Sequence, residues 1–185
     1  MNNPQDVPKL KLDAKKWGLL FDVRRSVRYH DRRRAFFEQL HRITSLLTIV
    51  MAGSFLFDLG KDGDAADWLK YLSAFAAACA AIDMVIGFSK RSNLHADLRE
   101  KFAMLEIDMV TEDNSDQHLQ GYLKRRLLIE KDEPPIYRVL DGLCRNELLI
   151  AEGYNRKDHR SYFFRCNRFQ RFTSQLFRWD NVFSA

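Results

Sequence analysis

Two apolar stretches decide the fold of this chain: Ile43–Phe57, reading ITSLLTIVMAGSFLF, and Tyr71–Ser89, reading YLSAFAAACAAIDMVIGFS. The first is 15 residues without a charge between Arg42 and Asp58. The second is 19 residues between Lys70 and Lys90, interrupted only by Asp83. A helix needs roughly 20 apolar residues to cross about 30 Å of hydrocarbon. At about 1.5 Å per residue the first segment covers only about 22 Å. Snorkelling by Arg42, extension to Leu59 and local bilayer thinning can absorb that mismatch. The expected fold is all-α: a two-helix transmembrane hairpin carrying amphipathic cytoplasmic helices. The alternative is a soluble bundle with one short and one Ala-rich core helix.

Charge placement favours the membrane. Residues 1–42 hold 11 Lys/Arg against 5 Asp/Glu, whereas the link 58–70 sets Lys61 and Lys70 against Asp58, Asp62, Asp64 and Asp67. Lys90, Arg91, Arg99 and Lys101 follow the second segment. An excess of Lys/Arg outside the spans and little between them puts both termini on the cytoplasmic side. The mean hydropathy of −0.39 points weakly the other way, as two short spans are diluted by polar helices. No secretory leader is evident in residues 1–42. Three scattered cysteines, Cys79, Cys144 and Cys166, give no disulfide framework. A net charge of +5 is partly topological and does not by itself argue for nucleic acid.

The domain organisation follows. Residues 1–42 are expected to form a basic cytoplasmic amphipathic helix after a mobile lead (1–12), with Trp17, Leu20, Val23, Val27, Phe36, Phe37 and Leu40 on apolar stripes. Residues 43–89 are the hairpin, 90–153 cytoplasmic helices and 154–185 a basic-aromatic tail. Leu94, Leu98, Phe102, Leu105 and Met109 recur at helical spacing, which predicts an amphipathic helix continuing from the second span. Glu112–Asp116 reads as a loop, and a further helix carries Leu119, Leu123, Leu127 and Leu128. Pro135 is placed to open the last helix, with Ile136, Val139, Leu140, Leu143, Leu148 and Leu149 inward and Gly153 near its C-cap.

Several residues are candidates for function. Asp83 lies about 10 Å from the end of its span, where a lone carboxylate costs a few kcal/mol. Thr44, Ser45 and Thr48 come to similar depth, with Arg42 able to reach inward. Asp83 therefore either lines a pore or accepts a register-fixing hydrogen bond between helices. Ala74–Ala78 and Ala77–Ala81 have the spacing that lets helix backbones approach closely, with Ala52, Gly53 and Ser54 as a counterpart. Arg32, Arg33 and Arg34 face either anionic lipid or solvent. Arg165, Arg168 and Arg171, interleaved with rings up to Trp179, suit a lipid interface, a protein partner or single-stranded nucleic acid, with lipid first.

Catalysis is not expected. No HExxH, His/Cys ligand spacing, GxGxxG, P-loop or GxSxG is present, so neither metal nor cofactor is implied. Glu130, Asp132, Glu133 and Glu147 read as solvated charges.

The order of parts adds a resemblance. Tyr29-His30-Asp31-Arg32-Arg33-Arg34 leads into the first span, and after the second comes Leu94-His95-Ala96-Asp97-Leu98-Arg99-Glu100-Lys101-Phe102-Ala103-Met104-Leu105-Glu106. Over about residues 20–110 this arrangement resembles the two-transmembrane SLATT effector domains. The resemblance implies a bacterial inner-membrane protein of conflict systems, a homo-oligomer that perturbs the membrane or forms a pore. A membrane-anchored adaptor that binds a partner protein through its cytoplasmic helices is the second expectation. A soluble helical nucleic-acid-binding module is the third.

Overall fold

The computed structural model describes residues 6–59, 67–112 and 115–179, and every regular element among them is helical. In chain order these are α1 (Asp6–Leu59), α2 (Asp67–Ile86), α3 (Phe88–Thr111), α4 (Asp116–Glu130), α5 (Arg138–Ala151), a 3-10 turn (Arg160–Tyr162) and α6 (Arg168–Phe172). The start of the expected lead, most of the acidic link, and the side chains of Ala52 and Ser54 lie outside the described residues. The helix begins at Asp6, inside the lead predicted as mobile. Pro8 does not prevent this, because in a first turn its missing N–H has no partner to lose.

The chain divides into two compact units: Arg33–His95, and the residues up to Arg32 together with those from Ala96 onward. The first of these extends beyond the predicted 43–89 hairpin for a physical reason. Phe37 of α1 is buried and stacks on Phe88 and His95, with the Arg33 guanidinium 4.6 Å from its ring centre. Ser92 Oγ donates to the Arg34 carbonyl at 3.3 Å. Helix pairing therefore continues past the apolar segments. Between α2 and α3, Gly87 takes a φ of +66°, a conformation that side chains rarely tolerate.

The second unit is built on α1, α3, α4 and α5. Leu19 and Val23 of α1 pack with Phe102, Leu105 and Met109 of α3 and with Leu119 and Tyr122 of α4. The predicted α3 stripe is inside except for Leu94, which is partly exposed. On α4 the expected Leu127 and Leu128 are exposed and Tyr122 takes the inner position. Its hydroxyl donates to Glu112 at 2.6 Å, and burial, followed by that bond, pushes its pKa up to about 12. Ser115 caps α4 by accepting from the His118 amide at 3.2 Å.

Helix α5 starts at Arg138, three residues after Pro135, because the Tyr137 amide donates to the Tyr29 hydroxyl at 3.0 Å. It ends where Gly153 adopts a φ of +88°, with Tyr154 N donating to Leu149 O at 2.9 Å and Gly153 N to Ile150 O at 3.1 Å. That pair of bonds is a Schellman cap. Of the carboxylates expected to be solvated, Asp132 is exposed and three others have partners. Glu133 is almost buried, 2.6 Å from His30 Nε2, while Glu147 meets Arg32 and Glu130 meets Arg126. Arg24 joins Glu106 at 2.8 Å to Glu152 at 2.9 Å, and Arg25 reaches Asp141 at 3.1 Å.

The C-terminal segment is folded onto α5. Asn146 is buried and clamps the Phe164 backbone, its Nδ2 donating to the carbonyl at 2.7 Å and its Oδ1 accepting from the amide at 2.8 Å. Gly142 leaves room for the Phe164 ring, since an added Cβ would lie 2.4 Å from it. Replacing Asn146 by Ala leaves two backbone groups short of partners, an expected loss of about 2–4 kcal/mol. Limited trypsin digestion should then cut rapidly near Arg165; an unchanged digestion pattern would refute the clamp.

Asp141 gives a second expectation. Burial raises its pKa above the usual carboxylate range, although Arg25 opposes the shift. A carboxyl with a raised folded pKa contributes stability that is full below its unfolded pKa and lost as pH rises through the folded one. At neutral pH its ionised form therefore costs stability. Asp141→Asn should raise the denaturation midpoint at neutral pH, and the gain should shrink as pH falls; a lowered midpoint at neutral pH contradicts it.

Candidate functional site

Within the unit Arg33–His95, the side chains facing inward on α1 are Phe37, Leu40, His41, Thr44, Leu47 and Met51, a 3–4 residue spacing. On α2 the corresponding positions are Leu72, Ser73, Ala76, Cys79, Ala80 and Asp83. Small residues line that second face, which permits close helix approach. Ala74, Ala77, Ala78 and Ala81, the four alanines singled out from the sequence, lie on the exposed face of α2 and outside this seam.

Asp83 sits at the end of the seam and receives three donors. His41 Nδ1 lies 2.9 Å from Oδ2, Thr44 Oγ1 donates to the same oxygen at 3.2 Å, and the Phe88 amide donates to Oδ1 at 3.3 Å. The last bond replaces a helical one at the Gly87 break, while Gly87 N still reaches Asp83 O at 2.7 Å. One carboxylate thus joins α1 to α2 and caps α3. Desolvation in an apolar pair makes such satisfaction obligatory.

The other sequence candidates are placed differently. Thr44 touches Asp83, but Thr48 is exposed and its hydroxyl donates to the Thr44 carbonyl at 2.8 Å. Arg42 does not reach inward; it is exposed and pairs with Glu38. His41 was not anticipated. It precedes Thr44 by three residues, so helical register alone puts the two on one face.

The basic candidates separate into two sets. Arg32 pairs with Glu147, Arg33 is buried against Phe36 and Phe37, and Arg34 lies 3.7 Å from Glu38. Arg165, Arg168 and Arg171 are exposed and make no ion pair among the described residues. Trp179 is half-buried, donating from Nε1 to Thr173 Oγ1 at 3.2 Å and meeting Phe169 and Phe177 edge to face. No group of three His, Cys, Asp or Glu with metal-holding geometry occurs among the described residues.

A groove beside Asp83, lined by Ala80, Met84, Gly87, Ser89, Lys90 and Asn93, is open on one side. The carboxylate is therefore both paired across the seam and reachable. If the pairing is the main role, His41→Ala and Asp83→Asn should be non-additive, with a coupling of about 0.5–2 kcal/mol in thermal denaturation. Additive losses would mean that the two side chains do not act as a pair.

Compared with protein-family models, with curated proteins and with solved structures, the chain matches none.

Proposed function

We propose that this chain is an integral membrane protein whose two apolar segments cross the bilayer as a hairpin, with both termini cytoplasmic, and that it self-associates to perturb the membrane. The observation that carries the reading is the apolar stretch from Tyr71. It is the one helix among the described residues long and apolar enough to span, with a window of mean hydropathy 1.8 that is 11% buried. Burial that low is unlike the core helix of a soluble bundle. Ile43, Leu46, Ile49 and Val50 on α1 are likewise exposed, as are Phe75, Ile82, Met84 and Val85 on α2. Lipid is the solvent in which such faces need no further cover.

Self-association draws its support from the exposed alanines of α2. In lipid, helices associate where small residues permit close packing, and Ala74, Ala77, Ala78 and Ala81 are not occupied by α1. The resemblance to SLATT effectors agrees with a membrane-perturbing assembly. An adaptor role is the second reading, favoured by exposed apolar residues of the other unit: Met104, Ile107 and Val110 on α3, and Leu127 and Leu128 on α4. An adaptor expressed alone leaves the membrane potential intact, whereas an effector collapses it or does so on a trigger.

Topology comes first. Membranes washed with carbonate should retain the protein, and a cysteine introduced by Gly63→Cys in the link should label from the periplasmic side alone. Release into the supernatant would overturn the membrane reading. In vesicles, Asp83→Leu should abolish ion leakage while leaving insertion intact. Asp83→Asn keeps the acceptor but removes the charge, so leakage lost in both variants marks the charge itself. Leakage unchanged in Asp83→Leu would remove Asp83 from any pore.

A further inference from the structure

We infer that the folded C-terminal segment, residues 159–179, is a second and separate bilayer contact: a rigid wedge that docks on anionic phospholipid. This rests on the membrane reading above only for the presence of a bilayer. The segment holds five arginines, Arg160, Arg165, Arg168, Arg171 and Arg178, and no Asp or Glu. Several basic side chains elsewhere in the same unit are matched. Arg24 has Glu106 and Glu152, Arg99 has Asp31 and Arg126 has Asp22 and Glu130. Arg160, Arg165, Arg168 and Arg171 are exposed and carry no carboxylate partner among the described residues. Four exposed arginines without a carboxylate partner among the described residues thus fall within 12 residues of sequence.

Apolar side chains stand out beside it. Phe172 is 83% exposed, Phe169 63%, Phe177 57% and Leu176 56%. The backbone that presents them is held firmly. Asn146 clamps Phe164, Asn167 and Gln170 form a capping box at α6, and Trp179 is tied to Thr173. A held surface loses little conformational freedom on docking. Guanidinium groups beside protruding rings match the phosphate and upper acyl region of a bilayer.

The make-up of the protruding set favours lipid over single-stranded nucleic acid, although Phe172 keeps an open ring. Base stacking needs open ring faces. Phe169 and Phe177 both pack edge to face against Trp179 at 5.9 and 6.3 Å, and Tyr162 lies parallel to His159 at 5.9 Å. Leu176 has no π-face to offer. A bilayer accepts these shapes without requiring a stacking plane.

The test uses the full chain with Cys79→Ala and Cys166→Ser, and an environment-sensitive NBD dye at Phe172→Cys. Cys144 stays, since it is buried and burial pushes its thiol up to about 12, out of reach of the label. The protein is reconstituted in nanodiscs of phosphatidylcholine alone or enriched in phosphatidylserine. The expected result is a blue-shifted emission, quenched by spin-labelled lipid, in the anionic discs. Each arginine near an anionic surface contributes about fivefold, so Arg165→Gln, Arg168→Gln and Arg171→Gln together should lower the docked fraction on the order of 100-fold. Those side chains are exposed, so the fold is unaffected. An identical spectrum in neutral and anionic discs, or a shift that requires added single-stranded RNA, would overturn the inference. Should the chain fail to enter discs, the hairpin reading fails, and flotation with phosphatidylserine vesicles decides the wedge by itself: flotation upholds it and sedimentation rejects it.

Discussion

A carboxylate placed among apolar helices has to be satisfied, and residue 83 shows how much structure that requirement organises. Asp83 takes His41 and Thr44 from α1 and the Phe88 amide from its own continuation. Sliding α1 by one residue would separate both donors from it, so the polar contact fixes a register that alanine packing alone leaves loose. The same side chain compensates the hydrogen bond interrupted at Gly87. A turn of helix opens there without an orphaned donor, which is why the chain tolerates a positive φ between two long helices.

The second unit solves the opposite problem. Its first helix is crowded with arginines, and like charges on one helix repel. Carboxylates from α3 and α5 converge on that helix, so Arg24, Arg25 and Arg32 each face at least one acid. Side chains such as Arg24 and Glu106 are about one-third exposed. Each such pair contributes little by itself, of the order of 1 kcal/mol or less, but together they determine which helix faces sit opposite one another. The apolar layer of Val23, Phe102, Leu105 and Met109 supplies the cohesion beneath them.

Much of the helical order was legible because it is local. The 3–4 residue spacing of Leu98, Phe102, Leu105 and Met109 reported a buried face, and Gly153 reported a C-cap. Long-range polar pairing was not legible. His41 looks like a flanking residue until Asp83 is folded against it, and Glu133 looks like part of a charged turn until His30 lies beside it. Nothing in a linear pattern couples residues some 40 to 100 positions apart. The two arginine sets were not separable for the same reason: the triplet at 32–34 and those after 160 look alike in sequence, yet Arg32 meets Glu147 and Arg165 meets no acid among the described residues. Asn146 was missed because a buried amide on an amphipathic helix reads as a blemish in the stripe rather than a clamp.

The span of these pairings also sets an order of events during synthesis. Asp83 is 42 residues from His41, whereas Glu152 is 128 from Arg24 and Glu147 is 115 from Arg32. At roughly 5–20 residues per second, the partners of the first helix emerge on the order of 10 s after it does. The pairing around Asp83 can close while translation is still under way. The N-terminal arginines meanwhile wait, unneutralised, for carboxylates that have yet to leave the ribosome. During that interval the N-terminal excess of 11 Lys/Arg over 5 Asp/Glu in residues 1–42 stands without the carboxylates that later face it.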